Sequence, residues 1–308
     1  MIGEMEPARI EYRSRDARVK VLDEQNVEGV IMLPTLALGV EQLLWDDPAA
    51  LHAVLRSLNR WIDEEWGFSW NNRIFAPPVF SLVDPVAAEV DLEWAIEGGA
   101  RIIAFRPAPI QTPSGFRSPA DPLHDRFWSM VEEANVVVAF HGADSGYADY
   151  AQRWGERTRF GTFSDSTLAE TLSLHLERPI MEQITAMVCH GLFDRHPGVK
   201  VAAVELGSGW VPDLIRRFKI VYGKMPQAFK VDPVETLHGH LWIAPFQEDS
   251  IVELAAAIGV ERVMLGSDWP HPEGLANPSS LVEDLATFSY DEQKRIMSDN
   301  LRELLLGA

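Results

Sequence analysis

The chain has 308 residues, 46% of them hydrophobic and 24% charged, enough apolar material for one large α/β domain. Its net charge of −19 at pH 7, from 27 basic and 46 acidic residues, repels phosphate backbones and argues against a nucleic-acid partner. No apolar run approaches the ~20 residues that span a bilayer, and the single cysteine, Cys189, excludes an intrachain disulfide framework and any multi-Cys zinc site. The segment from Met1 to Lys20 lacks the apolar core of a secretory signal. A cytoplasmic protein without a membrane association is the expectation.

Short apolar runs alternate with amphipathic stretches along the whole chain. A helix over Arg13–Glu24 precedes the first run, Gly29–Leu33. Asp47-Pro48 caps a helix whose apolar face is Leu51, Val54, Leu55, Leu58 and Ile62. Next come a strand over Ile74–Leu82 and a helix opened by Asp84-Pro85 and stopped by Gly98-Gly99. A strand over Arg101–Phe105 and a long loop, Ala108–Ala120, lead to a third capped helix at Asp121-Pro122. Val136–Phe140 is the next strand, and a second long loop, Ala143–Thr167, follows it. Thr167–His196 has the length of two helices split near Pro179. Strands over Val199–Val204, Leu241–Phe246 and Arg262–Leu265 complete the set, and Ser289-x-x-Glu292 is the capping box of a last helix. The strands are rich in Val, Ile and Phe with little polar alternation, as strands buried on both faces of a parallel sheet are.

Seven strand–helix units in alternation fall one short of a (β/α)8 TIM-like barrel. The helix over Arg13–Glu24 reads as one whose own strand is absent, so the expected fold is such a barrel with its first strand missing from this chain and two edges left unpaired. An open doubly wound sheet is the alternative. No repeat or linker divides residues 1–308, which read as a single domain.

Strand ends are where a parallel barrel does its chemistry. Arg106, His141, Glu205 and Asp268 each stand at one. His141, in Phe140-His141-Gly142, and Asp268, in Gly266-Ser267-Asp268-Trp269-Pro270-His271, suggest a metal site, since imidazole and carboxylate are ordinary ligands of divalent ions. Structurally, His141 could instead be a loop histidine and Asp268 a turn residue. Glu205 interrupts an apolar strand end, and a buried unpaired carboxylate is costly. It is a ligand, a general acid/base, the orienter of another ligand, or the ion-pair partner of Arg106. Arg106 could grip a substrate carboxylate through its fork or pair with a core carboxylate. Trp269 forms a ceiling over Asp268, and His271 touches substrate or braces the turn. His238-Gly239-His240 precedes its strand and so belongs to the non-catalytic end. His190 and His196 suit helix-end roles, and Cys189 reads as packing. Tyr147 and Trp154 hint at a planar substrate.

These residues resemble the amidohydrolase-related metalloenzymes of the aminocarboxymuconate-semialdehyde decarboxylase type. Gly266 to Gly274 looks like the family's terminal metal-aspartate motif, Phe140-His141-Gly142 its mid-barrel metal histidine, and Gly191 to Lys200 its lead into the next strand. Ser298-Asp299-Asn300-Leu301 is similar to its closing helix. The resemblance implies a distorted (β/α)8 barrel with one divalent metal, commonly zinc. It implies decarboxylation or hydrolysis of a small organic acid, and a homodimer. Metal ligands would then be His141 and Asp268, with Asp268 and Glu205 catalytic and Arg106, His271 and Trp269 against substrate. Two departures stand out. The family's first-strand His-x-His pair has no counterpart before Val27, and Glu205 occupies a position that often holds histidine. A barrel relic that binds a ligand or partner without catalysis is the competing expectation.

Overall fold

Parallel pairing runs through the chain in sequence order. The structure, a computed structural model, describes residues 9–143, 145–155, 177–271 and 274–307. Strand β1 (Val30–Ile31) pairs with β2 (Ile74–Phe75). Val79, beyond β2, bridges to Ala104 of β3 (Ile102–Phe105). A hairpin, β4 (Ile110–Thr112) and β5 (Gly115–Arg117), stands off this sheet. β3 continues to β6 (Val137–His141), β7 (Lys200–Val204) and β8 (Leu241–Ala244), and Val263 bridges Ile243 as the last strand position. Among the described residues the sheet therefore has seven strand positions, every pairing between them parallel.

The two faces separate with the period of two that a strand imposes. Phe75, Ile102, Val137, Ala139, Ala202, Trp242 and Met264 form one apolar cluster, the inside of the barrel. Ile103, Phe105, Val138, Phe140, Val201 and Ile243 face the other way, into the larger cluster shared with the helices. His141 keeps the parity of Val137 and Ala139, so it continues the inner row at the strand tip.

The end of the chain reaches residues beside both the first and the last strand. The terminal helix Asn300–Leu306 lies between them and sends Leu304 and Leu305 into the inner cluster. Asn300 Nδ2, on a residue 2% exposed, donates to Val260 O and Val263 O, both at 2.8 Å. On the other side Ser298 Oγ reaches Glu28 Oε2 at 3.0 Å, and Arg302 pairs with the same carboxylate. Backbone acceptors beside the last strand thus find side-chain donors.

The predicted helix starts are built as expected. Asp47, Asp84 and Asp121 accept from backbone N–H groups at the starts of Pro48–Glu65, Pro85–Glu97 and the short turn Pro122–His124, and Ser289 and Glu292 form the reciprocal capping box. Other expectations are corrected. The strand over Ile74–Leu82 pairs as a ladder only at its start, because Pro77 and Pro78 supply no N–H. Arg262–Leu265 shrinks to one bridge, having a partner on one side only. The loop Ala108–Ala120 contains the β4–β5 hairpin. The helix Glu177–Cys189 starts beside Pro179, which sits in its first turn where no N–H is needed, and it ends before Gly191, whose φ of 71° suits glycine. The predicted stretch before Glu177, most of the loop Ala143–Thr167, and Pro272 and Glu273 lie outside the described residues. Among the described residues no helix is long and apolar enough to cross a membrane.

Candidate metal centre

His141 ends β6 and is 3% exposed. Its Nδ1 lies 2.9 Å from the carbonyl oxygen of Gly142. A carbonyl only accepts, so Nδ1 carries a hydrogen and Nε2 is the ring atom turned toward Glu205. That Nε2 stands 2.6 Å from Glu205 Oε2. A ring nitrogen and a carboxylate oxygen at this distance share a proton or a metal ion. A carbonyl fixing the far nitrogen of a histidine is also how metal-bound imidazoles are commonly oriented.

Glu205 immediately follows β7 with φ 53°, and Asp268 has φ 52°. The left-handed region is uncommon outside glycine and concentrates at functional sites. At both tips the turn lifts the side chain out of the strand's alternation. The Asp268 turn is tied by His271 N donating to Asp268 O at 2.8 Å and Leu275 N donating to Ser267 O at 2.8 Å. Gly274 completes it, since a Cβ there would meet Asp268 O at 2.4 Å. The turn brings His271 Nδ1 to 3.3 Å from Asp268 Oδ1. Ligand atoms of Glu205, Asp268 and His271 all lie within 4.8 Å of one another. His141 adjoins this group through Glu205. One mouth therefore gathers two imidazoles and two carboxylates, all from the C-terminal ends of strands. With nitrogen and oxygen donors and no thiolate, the set fits a zinc or manganese ion.

The remaining predicted residues are placed differently. Arg106 does not present an open fork. Its Nε and Nη2 each lie 2.9 Å from Glu41 Oε1, and Nη1 donates to Gln42 Oε1 at 2.6 Å. Both ionic side chains are buried, at 4% and 7% exposure. Of the two sequence readings, the buried ion pair is the one formed, with Glu41 as partner, while Glu205 turns to His141. Trp269 is roofed in turn by the Arg18 guanidinium, 4.4 Å from the ring centroid, and met edge-on by Tyr12. Burial holds the Arg18 guanidinium below its usual pKa, with Tyr12 and Glu11 opposing. Neither Arg18 nor Glu41 drew attention in the sequence. The one signal was charge on apolar faces, Arg18 being buried one turn from Leu22.

The other histidines sit away from the mouth. His240 Nδ1 donates to Val199 O at 2.7 Å and its ring stacks on Phe193; His238 Nε2 lies 3.0 Å from Ala257 O. His196 pairs with Asp125, and His190 with Ser118. Cys189 is a free thiol that burial pushes up in pKa, the opposite of an activated nucleophile. Tyr147 lines a groove of about 350 Å³ with Pro107, Phe116 and Gln183, and burial and the Glu182 carboxylate raise its pKa. Trp154 is 75% exposed.

A parallel barrel whose strand tips converge two imidazoles and two carboxylates defines the metal-dependent hydrolase class of architecture. The family model described as Amidohydrolase matches residues 8–306, and the chain belongs to that family. An amidohydrolase from Mycobacterium avium subsp. paratuberculosis K-10 is 42% identical, with a TM-score of 0.90 over 96% of this chain and 75% of that one. The gamma-resorcylate decarboxylase of Rhodococcus jostii (strain RHA1) is 24% identical over 94% of this chain and 87% of that enzyme. A dihydroxybenzoic acid decarboxylase from Polaromonas sp. JS666, solved with bound manganese and 2-nitroresorcinol, shares the fold at a TM-score of 0.72 and 16% identity, over 94% of this chain and 85% of that one.

Proposed function

We propose that this chain is a metal-dependent decarboxylase of a small aromatic or unsaturated acid. The observation that carries the reading is the meeting of Glu205, Asp268 and His271 within 4.8 Å of one another, beside His141. Similarity to decarboxylases of dihydroxybenzoates supports the reaction class and an aromatic acid as substrate.

His141 and Asp268 would hold a divalent ion, zinc or manganese. When bound, such an ion supplies Lewis-acid polarisation of substrate oxygens. The protein's own groups do the rest. Loss of CO2 breaks the bond between carboxyl and ring carbon, and that carbon must gain a proton. Asp268 and Glu205 are the side chains placed to hold and deliver it, the first at a tied turn and the second against His141. Arg106, at the tip of β3, is held by Glu41, and Trp269, beside Asp268 and covered by Arg18, is placed to limit water there.

The test is turnover of a panel of hydroxybenzoates by the chain reconstituted with Mn2+ or Zn2+, read as CO2 release and loss of substrate absorbance. Metal-dependent decarboxylation that Asp268→Asn abolishes is expected. Hydrolysis of esters or amides without decarboxylation, or full turnover in the Asp268→Asn chain, would overturn the proposal.

A further inference from the structure

The family resemblance assigns the metal to His141 and Asp268, and gives His271 at most a substrate contact. We infer that His271 is itself a metal ligand, joined by Glu205, so that two neighbouring turns supply three donors. The inference rests on the metal centre proposed above and names which residues complete it.

The geometry favours ligation over substrate contact. Bonds of about 2.0–2.2 Å to nitrogen and oxygen put opposite ligands of one ion at most about 4.4 Å apart. The donor atoms of Glu205, Asp268 and His271 already lie within 4.8 Å of one another, so only a small contraction is required. A residue meant for substrate would stand across a gap the size of the substrate. His271 instead lies 3.3 Å from the Asp268 carboxylate.

The backbone fixes that spacing. His271 N donates to Asp268 O, Gly274 N donates to His271 O at 3.0 Å, and Leu275 N donates to Ser267 O. Asp268 and His271 therefore move as one body, two donors on a single turn. Glu205 comes from the tip of a different strand, with its left-handed backbone aiming it at the same point. Its other neighbour is His141 Nε2, 2.6 Å from Glu205 Oε2. With His141 as the second imidazole ligand, two imidazoles and two carboxylates make a nitrogen and oxygen set suited to Mn2+, Fe2+ or Zn2+.

Calorimetric titration of the metal-free chain with Mn2+, combined with pulsed electron paramagnetic resonance of the bound ion, decides the matter. The wild type should show two coordinated imidazole nitrogens. His271→Gln should show one and bind Mn2+ at least about tenfold more weakly, the lower end of what even an outer-sphere partner costs. The metal-free Tm and circular dichroism of the variant should match the wild type, which separates ligand loss from unfolding. Wild-type affinity and two imidazoles in His271→Gln, with binding lost in Asp268→Asn, would remove His271 from the ligand set and leave the centre standing. Absence of tight Mn2+ or Zn2+ binding in the wild type would overturn both this inference and the metal-dependent reading it rests on.

Discussion

Gly274→Ala tests the turn that holds Asp268. The added methyl would lie 2.4 Å from the carbonyl oxygen of Asp268, 2.6 Å from its carbonyl carbon and 2.8 Å from Ser267 O. Non-bonded carbon contacts settle at about 3.5–4.0 Å, so the turn must open by about 1 Å. All three obstructing atoms are backbone, and none can swing away as a side-chain end would. Overpacking of this kind costs about 1–3 kcal/mol. Function should suffer more than stability, because a displacement of about 1 Å at a reacting group costs about 100-fold in rate. Metal affinity by calorimetry, kcat/KM on the best benzoate and Tm are the measurements. Gly266→Ala is the control, since a Cβ there meets nothing within 4 Å. If Gly274→Ala and Gly266→Ala behave alike in all three, the turn does not set the position of Asp268 and the reasoning fails.

Glu41→Leu should destabilise by about 3–5 kcal/mol, because it breaks the buried Arg106–Glu41 pair. Adding Arg106→Met should recover most of that loss in urea unfolding, and a double variant no more stable than Glu41→Leu alone would show that the broken Arg106–Glu41 pair is not the cause. Stability should also fall as the solution is acidified below about pH 6.5, the ordinary histidine pKa. Burial lowers the pKa of His124 and of His240, against the raising effects of Asp121 and of the Val199 carbonyl respectively. The unfolded chain then binds protons that the folded chain refuses, so the contribution is whole above the unfolded pKa and is lost as pH falls through the folded ones. Tm recorded from pH 8 to pH 5 should drop, and His240→Gln should flatten part of the slope; an unchanged slope would assign the loss to other groups.

Much of this molecule could be read locally. The inner and outer rows of the barrel follow from apolar runs with a period of two, and the helix starts from Asp-Pro pairs whose carboxylates accept the first free N–H groups. Glu205 and Asp268 stood out as candidates for the same reason, each a carboxylate that ends an apolar segment. What the sequence left open was decided by neighbours distant along the chain. Arg106 offered two partners on paper, and the short helix carrying Glu41 settled which one it met. Trp269 read as a ceiling, but the first helix contributes the guanidinium that covers it.

The sequence by itself determined which residues stand at strand ends and which parity faces inward, because both depend on backbone periods of a few residues. Only the tertiary structure decided that His141 meets Glu205, that His271 and Asp268 lie close to Glu205, and that the final helix packs beside the last strand. The physical reason is that closing a sheet into a cylinder turns distance along the chain into adjacency around a rim, and no local pattern encodes which rim positions end up facing one another.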